Sequence, residues 1–283
     1  MDRLRLMLAY DGAAFVGSQV QLGQRTVQGV VEAALGTLNG QSVRIVLAGR
    51  TDTGVHAQGQ VAHADVDRVR GLDQWMHGLN GLLPPDVRVT NVVVARGTFH
   101  ARFDAIGRTY RYRIWNGPVQ PPLLRGTTWH RRSALDMDAM NAACRVLIGE
   151  HDFAAFAGDG RGVPGRSNRT VRTVRSAGWM AERSLDDVSG CALVFTVEAS
   201  GFLPHMVRNL VGSLVLIGSG ERAAEWMETL LHGRDRRSAA PTAPPQGLTL
   251  WRVTYNEDAE KVPAITITTV DAGSVGETSE CRH

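Results

Sequence analysis

The strongest constraint on this chain is an order of hydrophobic periods that runs through twice. A period of two residues is followed by one near 3.6, then two more of two, another near 3.6 and a last of two. In the first pass Arg3 to Tyr10 alternates as a strand does, and Thr26 then caps a helix whose Val27, Val30, Val31, Ala34, Leu35 and Leu38 share one apolar face. Strands are expected at Val43 to Ala48 and Gln60 to Val66. A helix from Leu72 to Leu83 stops at Pro84-Pro85, and a valine-rich strand spans Val87 to Ala95. The second pass opens with a strand at Arg108 to Trp115 and a helix from Asp136 to Ile148 that turns Met137, Met140, Cys144, Leu147 and Ile148 inward. Strands at Val171 to Met180 and Ala192 to Ala199 follow. A helix through His205 to Ile217, a helical piece near Ala223 to Leu231 and a strand at Thr249 to Tyr255 complete it.

Two β-α-β-β-α-β units in tandem predict an α+β architecture of two ferredoxin-like halves, residues 1–106 and 107–256. Their strands should form one extended mixed or antiparallel sheet with a central cleft for the active site. Residues 257–283 turn acidic and then rich in Thr, Ser and Gly, the composition of a mobile tail with at most a short edge strand at Ala264 to Val270.

Charge narrows the function. Of 31 basic residues only Lys261 is a lysine, and the net charge is a modest +3. Arginine's planar fork suits phosphates and stacks on bases, so its distribution matters more than its number. From Arg96 to Arg132 stand arginines 96, 102, 108, 111, 113, 125, 131 and 132 against the single acid Asp104, interleaved with Phe99, Phe103, Tyr110, Tyr112 and Trp115. That is the pattern of a nucleic-acid stripe. Arg161, Arg166, Arg169, Arg172 and Arg175 form a second cluster in a Gly-rich stretch around Pro164. A solvated charged face is the plainer reading of either cluster alone. Cys144, Cys191 and Cys281 are odd in number and lack a Cys-x-x-Cys pair, which argues against a disulfide framework or a zinc site and for a reducing, cytoplasmic setting. Met1 to Tyr10 lacks the apolar run of a signal peptide, and no stretch reaches membrane-spanning length.

Asp52 follows the strand Val43 to Ala48 in a turn between Gly49 and Gly54, where a carboxylate projects from a strand end into a cleft. In an extended loop residues i and i+2 point the same way, so Arg50 is expected to pair with Asp52 and favour the ionised form a nucleophile needs. Taken alone, Asp52-Thr53-Gly54 reads more simply as a turn held by an Asx hydrogen bond. An aspartic protease would need a second such turn from another chain, and an arginine beside the dyad would spoil proton sharing.

The whole segment Ala48-Gly-Arg-Thr-Asp-Thr-Gly-Val-His-Ala57, with Gly59-Gln-Val61, resembles the catalytic motif of the TruA family of tRNA pseudouridine synthases, which commonly has Ala at the place of Thr53. Further stretches agree in order: Tyr10-Asp-Gly12 with Phe15 and Gly17, Val27-Gln28, Phe99-His-Ala-Arg-Phe103, Arg108-Thr-Tyr-Arg-Tyr112, Gly149-Glu-His-Asp-Phe153 and Phe202-Leu-Pro-His-Met-Val-Arg-Asn209. One stretch departs. The family commonly shows Gly-Trp-Gln-Arg-Gln, whereas Gly17-Ser18-Gln19-Val20-Gln21 lacks the tryptophan and the arginine.

The resemblance implies an isomerase that converts uridine to pseudouridine in the anticodon stem-loop of tRNA, at positions 38 to 40, as a homodimer and without metal or cofactor. It makes Asp52 the attacking carboxylate, with Arg50 and Tyr110 as its catalytic companions. Addition to ribose C1′, addition to the base and a glycal route all begin from an ionised Asp52 in a shielded pocket. Tyr110 would stack on the extruded base, Arg208 would pair with the aspartate, and Phe202 and His205 would line the same cleft. Phe99, His100, Ala101, Arg102 and Phe103 would contact RNA and help extrude the nucleotide, with Arg166 and Arg169 as a second contact. His56 and His63 lack a third ligand at metal-site spacing and read as structural. A catalytically silent RNA-binding or RNA-folding protein is the alternative, but it would have no need of Arg50, Asp52 and Tyr110 together.

Overall fold

The computed structural model describes residues 1–67, 70–158, 170–182 and 189–256. Along them run β1 (Asp2–Tyr10), α1 (Val27–Asn39), β2 (Ile45–Leu47), β3 (His56–Val66), α2 (Leu72–Leu82), β4 (Val87–Ala95), β5 (Ala105–Asn116), β6 (Trp129–Arg131), α3 (Met137–Cys144), β7 (Gly149–Asp152), β8 (Val171–Glu182), β9 (Cys191–Ala199), α4 (Met206–Gly218), α5 (Trp226–Gly233) and β10 (Leu248–Tyr255).

The strands form one mixed sheet whose path β4-β1-β3-β10-β5-β9-β8-β7 contains one neighbour pattern twice. In the first pass the fourth strand lies beside the first, the first beside the third, and the third beside the second; β10, β5, β9 and β8 stand in the same relation. The fold is thus the expected α+β sheet. β3 joins the two patterns: His56 and Ala57 run parallel to Thr249 and Leu250 of β10, while Ala62 to Ala64 take β2 on the same edge.

Local chemistry accounts for the elements. Leu4, Leu6, Leu8 and Tyr10 of β1 are buried at alternate positions, as a one-sided strand requires. The Thr26 side chain accepts the Gly29 N–H at 3.2 Å and caps α1, and Asp136 caps α3 by accepting the Ala139 N–H at 2.9 Å. α4 is buried almost all round, through Met206, Val207, Leu210, Val211, Leu214, Val215 and Ile217, so it is a core helix with any polar group it carries held in place. Each such side chain contributes roughly 1.5–3 kcal/mol through burial.

Three differences from the sequence reading have physical causes. β3 begins at His56, four residues before Gln60, because β10 supplies a partner that no local period announces. The helix expected from Asp136 to Ile148 ends at Cys144 and tightens into a 3-10 turn over Arg145–Leu147. The helical piece near Ala223 starts only at Trp226. β6 and β7 are too short to show a period. Among the described residues, no helix is long and apolar enough to cross a membrane. The tail from 257 onward lies outside the described residues.

Candidate active site

Asp52 sits between β2 and β3, where the chain makes a hydrogen-bonded turn: the Val55 N–H donates to the Asp52 carbonyl at 3.1 Å. Gly54, third in that turn, has φ 77°, the left-handed value a type II turn requires there and that an L side chain resists. The approach to the turn is clamped. Ser18 and Thr51 bond in both directions, Ser18 N–H to the Thr51 carbonyl at 3.0 Å and Thr51 N–H to Ser18 Oγ at 2.8 Å. The Thr51 hydroxyl meets the Tyr10 hydroxyl at 2.8 Å, and Gln60 Nε2 donates to the Gly49 carbonyl at 2.8 Å. Ser18, Thr51, Gln60 and Tyr10 are all buried. The family's commoner tryptophan could not accept the Thr51 N–H as Ser18 does.

After the turn, His56 Nδ1 accepts the Gly12 N–H at 3.1 Å while Nε2 faces the carbonyls of Gly126 at 3.0 Å and Gln246 at 3.1 Å. Asp11 Oδ1 also lies 3.0 Å from Nδ1. His56 is a strut tying the first residues of β3 to two distant loops.

The carboxylate of Asp52, 34% exposed, faces α4. Arg208 NH1 stands 3.6 Å and His205 Nε2 3.4 Å from its Oδ2. Arg208 is 14% exposed and is aimed by a second bond, from Nε to the Ala243 carbonyl at 2.7 Å. The loop carrying Ala243 comes this near because residue 212 is glycine; a Cβ there would overlap the Pro241 carbonyl. Arg208 therefore lies where the resemblance puts it. Arg50 does not: it is exposed and makes no ion pair with Asp52. The i, i+2 rule gives a shared side, not contact, and the Ser18–Thr51 clamp directs the Asp52 side chain toward α4. Nor does Asp52 make an Asx bond; its carboxylate accepts no backbone N–H among the described residues.

Tyr110 of β5 is 8% exposed, and its ring meets Phe202 edge-on at 5.0 Å and 84°. Burial, reinforced by the Tyr10 hydroxyl and the Asp52 carboxylate, pushes its phenol far above the ordinary range, so it stays protonated and keeps a proton to donate at neutral pH. Alternation cannot distinguish Tyr110 from Tyr112, but bonding does. The Tyr112 hydroxyl donates to the Pro244 carbonyl at 2.8 Å, whereas that of Tyr110 has no partner among the described residues and is not among the fully enclosed polar atoms.

The segment after β4 divides. Phe99 and Ala101 are buried at 1% and 0% and cannot touch RNA as expected. Phe99 packs on Tyr255, and the Ala101 N–H donates to His63 Nδ1 at 3.1 Å. Phe103 is 75% exposed, stacks on His100 at 4.2 Å, and has the Arg102 guanidinium 5.8 Å above its ring. These three side chains form an outward platform.

Part of the arginine stripe is structural, while Arg96, Arg102, Arg125 and Arg132 stay exposed. Arg108 threads the carbonyls of Ala48, Arg102, Ala105 and Ser200, Arg111 lies 3.9 Å over Trp251, and Arg113 pairs with Glu182 at 3.2 Å. In the second cluster Arg175 pairs with Glu198, while Arg161, Arg166 and Arg169 lie outside the described residues. Tyr10, Ser18 and Gln60, which shape the site, stand in the quoted motifs but have no role legible in the sequence, because their contacts join distant segments.

A carboxylate on a sheet-anchored turn, faced by a guanidinium and an imidazole and with a protonated phenol nearby, defines a site for nucleophilic or acid–base chemistry. A model described as tRNA pseudouridine synthase matches residues 6–104 and 143–256, and the chain belongs to that family, which makes it an isomerase. Curated relatives carrying the name tRNA pseudouridine synthase A include that of Myxococcus xanthus, 44% identical over 257 residues and spanning 91% of this chain and 93% of its own. That of Solidesulfovibrio magneticus is 48% identical over 260 residues, spanning 90% and 92%. Bordetella parapertussis has one 45% identical over 258 residues, spanning 90% and 91%.

Proposed function

We propose that this chain converts uridine to pseudouridine in the anticodon stem-loop of tRNA, at positions 38 to 40, with Asp52 as the nucleophile. The single observation that carries the nucleophile assignment is the convergence of Arg208 and His205 on Asp52 Oδ2 beside Tyr110. The isomerisation keeps every atom: the bond from C1′ to N1 breaks, one from C1′ to C5 forms, the proton on C5 leaves and N1 takes one up. Arg208 stabilises the carboxylate until it attacks and again when it is released. Tyr110 holds the base against Phe202 and offers its hydroxyl as a donor.

Arg102 and Phe103 serve as RNA contacts, stacking beside the vacated place of the extruded base; flipping costs roughly a few kcal/mol that such contacts offset. The two halves, 1–106 and 107–256, each supply part of the site, Asp52 from the first and Tyr110, His205 and Arg208 from the second. Two chains act together in a cytoplasmic setting, as the family resemblance implies.

The test is to incubate unmodified tRNA with the wild type and with Asp52→Ala and to map pseudouridine by base-specific chemistry. Product at positions 38 to 40 from the wild type alone is expected. Equal product from both proteins sinks the nucleophile assignment, and tight binding without product from either favours a binding module.

A further inference from the structure

His205 occupies the left-handed backbone region, φ 59° and ψ 0°, which side chains with a Cβ rarely adopt, and it does so at the N-cap of α4, one turn before Arg208. The same bend that starts the helix thus brings an imidazole and a guanidinium to one carboxylate oxygen. What fixes the imidazole is a neighbour with no side chain. A Cβ on Gly158 would lie 2.6 Å from His205 Cβ and nearer still to Cγ and Nδ1, so it would strike the root of the side chain and not a flexible end. The Gly158 N–H donates to the Pro204 carbonyl at 2.9 Å, which holds the two segments at that separation. Gly158 is not in the left-handed region itself, so its backbone would accept alanine without strain. Closeness to His205 is its distinctive property.

We propose that Gly158 is the seat of the His205 ring and that His205, so seated, is a positioning residue that sets the direction of Asp52 Oδ2. This rests on Asp52 being the reacting carboxylate. Arg208 supplies charge, and His205 fixes the same oxygen.

A double-mutant cycle tests it with the full chain and unmodified tRNA: wild type, Gly158→Ala, His205→Gly and the double variant, with kcat, tRNA affinity and thermal midpoint measured for each. His205→Gly keeps the left-handed bend and removes the whole side chain; His205→Asn, which also tolerates that region, serves as the single variant for loss of the ring if the glycine variant is unstable. Gly158→Ala and His205→Gly should each lower kcat by about 10- to 100-fold, the scale of an ångström's misplacement. Affinity should stay near the wild type, and the midpoint should fall only where the Gly158→Ala methyl meets the His205 side chain, because that methyl has no room there. In the His205→Gly background the added methyl should change kcat by less than about twofold, because the ring it displaces is gone. The same loss from Gly158→Ala in both backgrounds overturns the proposal, as does a wild-type kcat in either single variant. A wild type that forms no pseudouridine at all overturns instead the reading of Asp52 on which the proposal rests.

Discussion

Arg208 approaches Asp52 with one end of a guanidinium whose other end is already bonded: Nε donates to the Ala243 carbonyl at 2.7 Å while NH1 stands 3.6 Å from the carboxylate. Lysine has one point of charge and cannot do both. Arg208→Lys should therefore lower kcat by about 10²- to 10³-fold, close to Arg208→Ala, with tRNA affinity little changed. Steady-state kinetics and a binding titration check this, and a lysine variant at near wild-type rate would show that charge alone suffices.

All 4 tyrosines of the chain, Tyr10, Tyr110, Tyr112 and Tyr255, have phenols raised by burial, Tyr10 to about 12 and the others higher. Since the folded values exceed the ordinary value near 10, their stabilising effect is complete below that pH and is lost as pH rises through the folded values. A near-ultraviolet titration should show no tyrosinate at pH 10 to 11, then all four ionising together with loss of circular dichroism. A tyrosine titrating singly near pH 10 would contradict the packing.

His63 gives the opposite limb. Burial first, then the charges of Arg3 and His100, lower its imidazole to about 4. A folded value below the ordinary 6.5 means stability present above 6.5 and lost as pH falls toward 4. Protonation also removes the lone pair on Nδ1 that accepts the Ala101 N–H. His63→Gln should flatten that acid limb in denaturation measured from pH 7 to pH 4; an unchanged slope would place the acid sensitivity elsewhere.

Phe99 and Phe103 should separate stability from binding. Phe99→Ala opens the core and should cost about 3–5 kcal/mol. Phe103→Ala should leave stability within about 0.5 kcal/mol and weaken tRNA binding. The reverse pattern would mean the platform is turned inward in solution.

Much of this was legible in the sequence because it is local. The alternation of Leu4, Leu6 and Leu8, the Thr26 cap and the glycine that permits the Asp52 turn each depend on a few neighbouring residues. What escaped depends on pairings across the chain. Asp52 finds its cation on α4, a pairing that the family resemblance implied but that no local rule about positions 50 and 52 can reach. Phe99 and Phe103 have similar chemistry, but the turn between them, bonded to the His100 ring, sends one inward and the other out. Arg108 looked like a phosphate ligand because arginine type alone does not reveal which carbonyls surround it.

The short parallel ladder between His56–Ala57 and Thr249–Leu250 has a consequence for how the protein is made. Chains emerge from the ribosome N-terminus first. The Asp52 turn is synthesised well over a hundred residues before the Arg208 that faces the carboxylate and the Gln246 carbonyl that braces His56. A nascent chain exposes this carboxylate long before its partners exist, so the surroundings of Asp52 assemble only after both α4 and the Gln246 loop have been made.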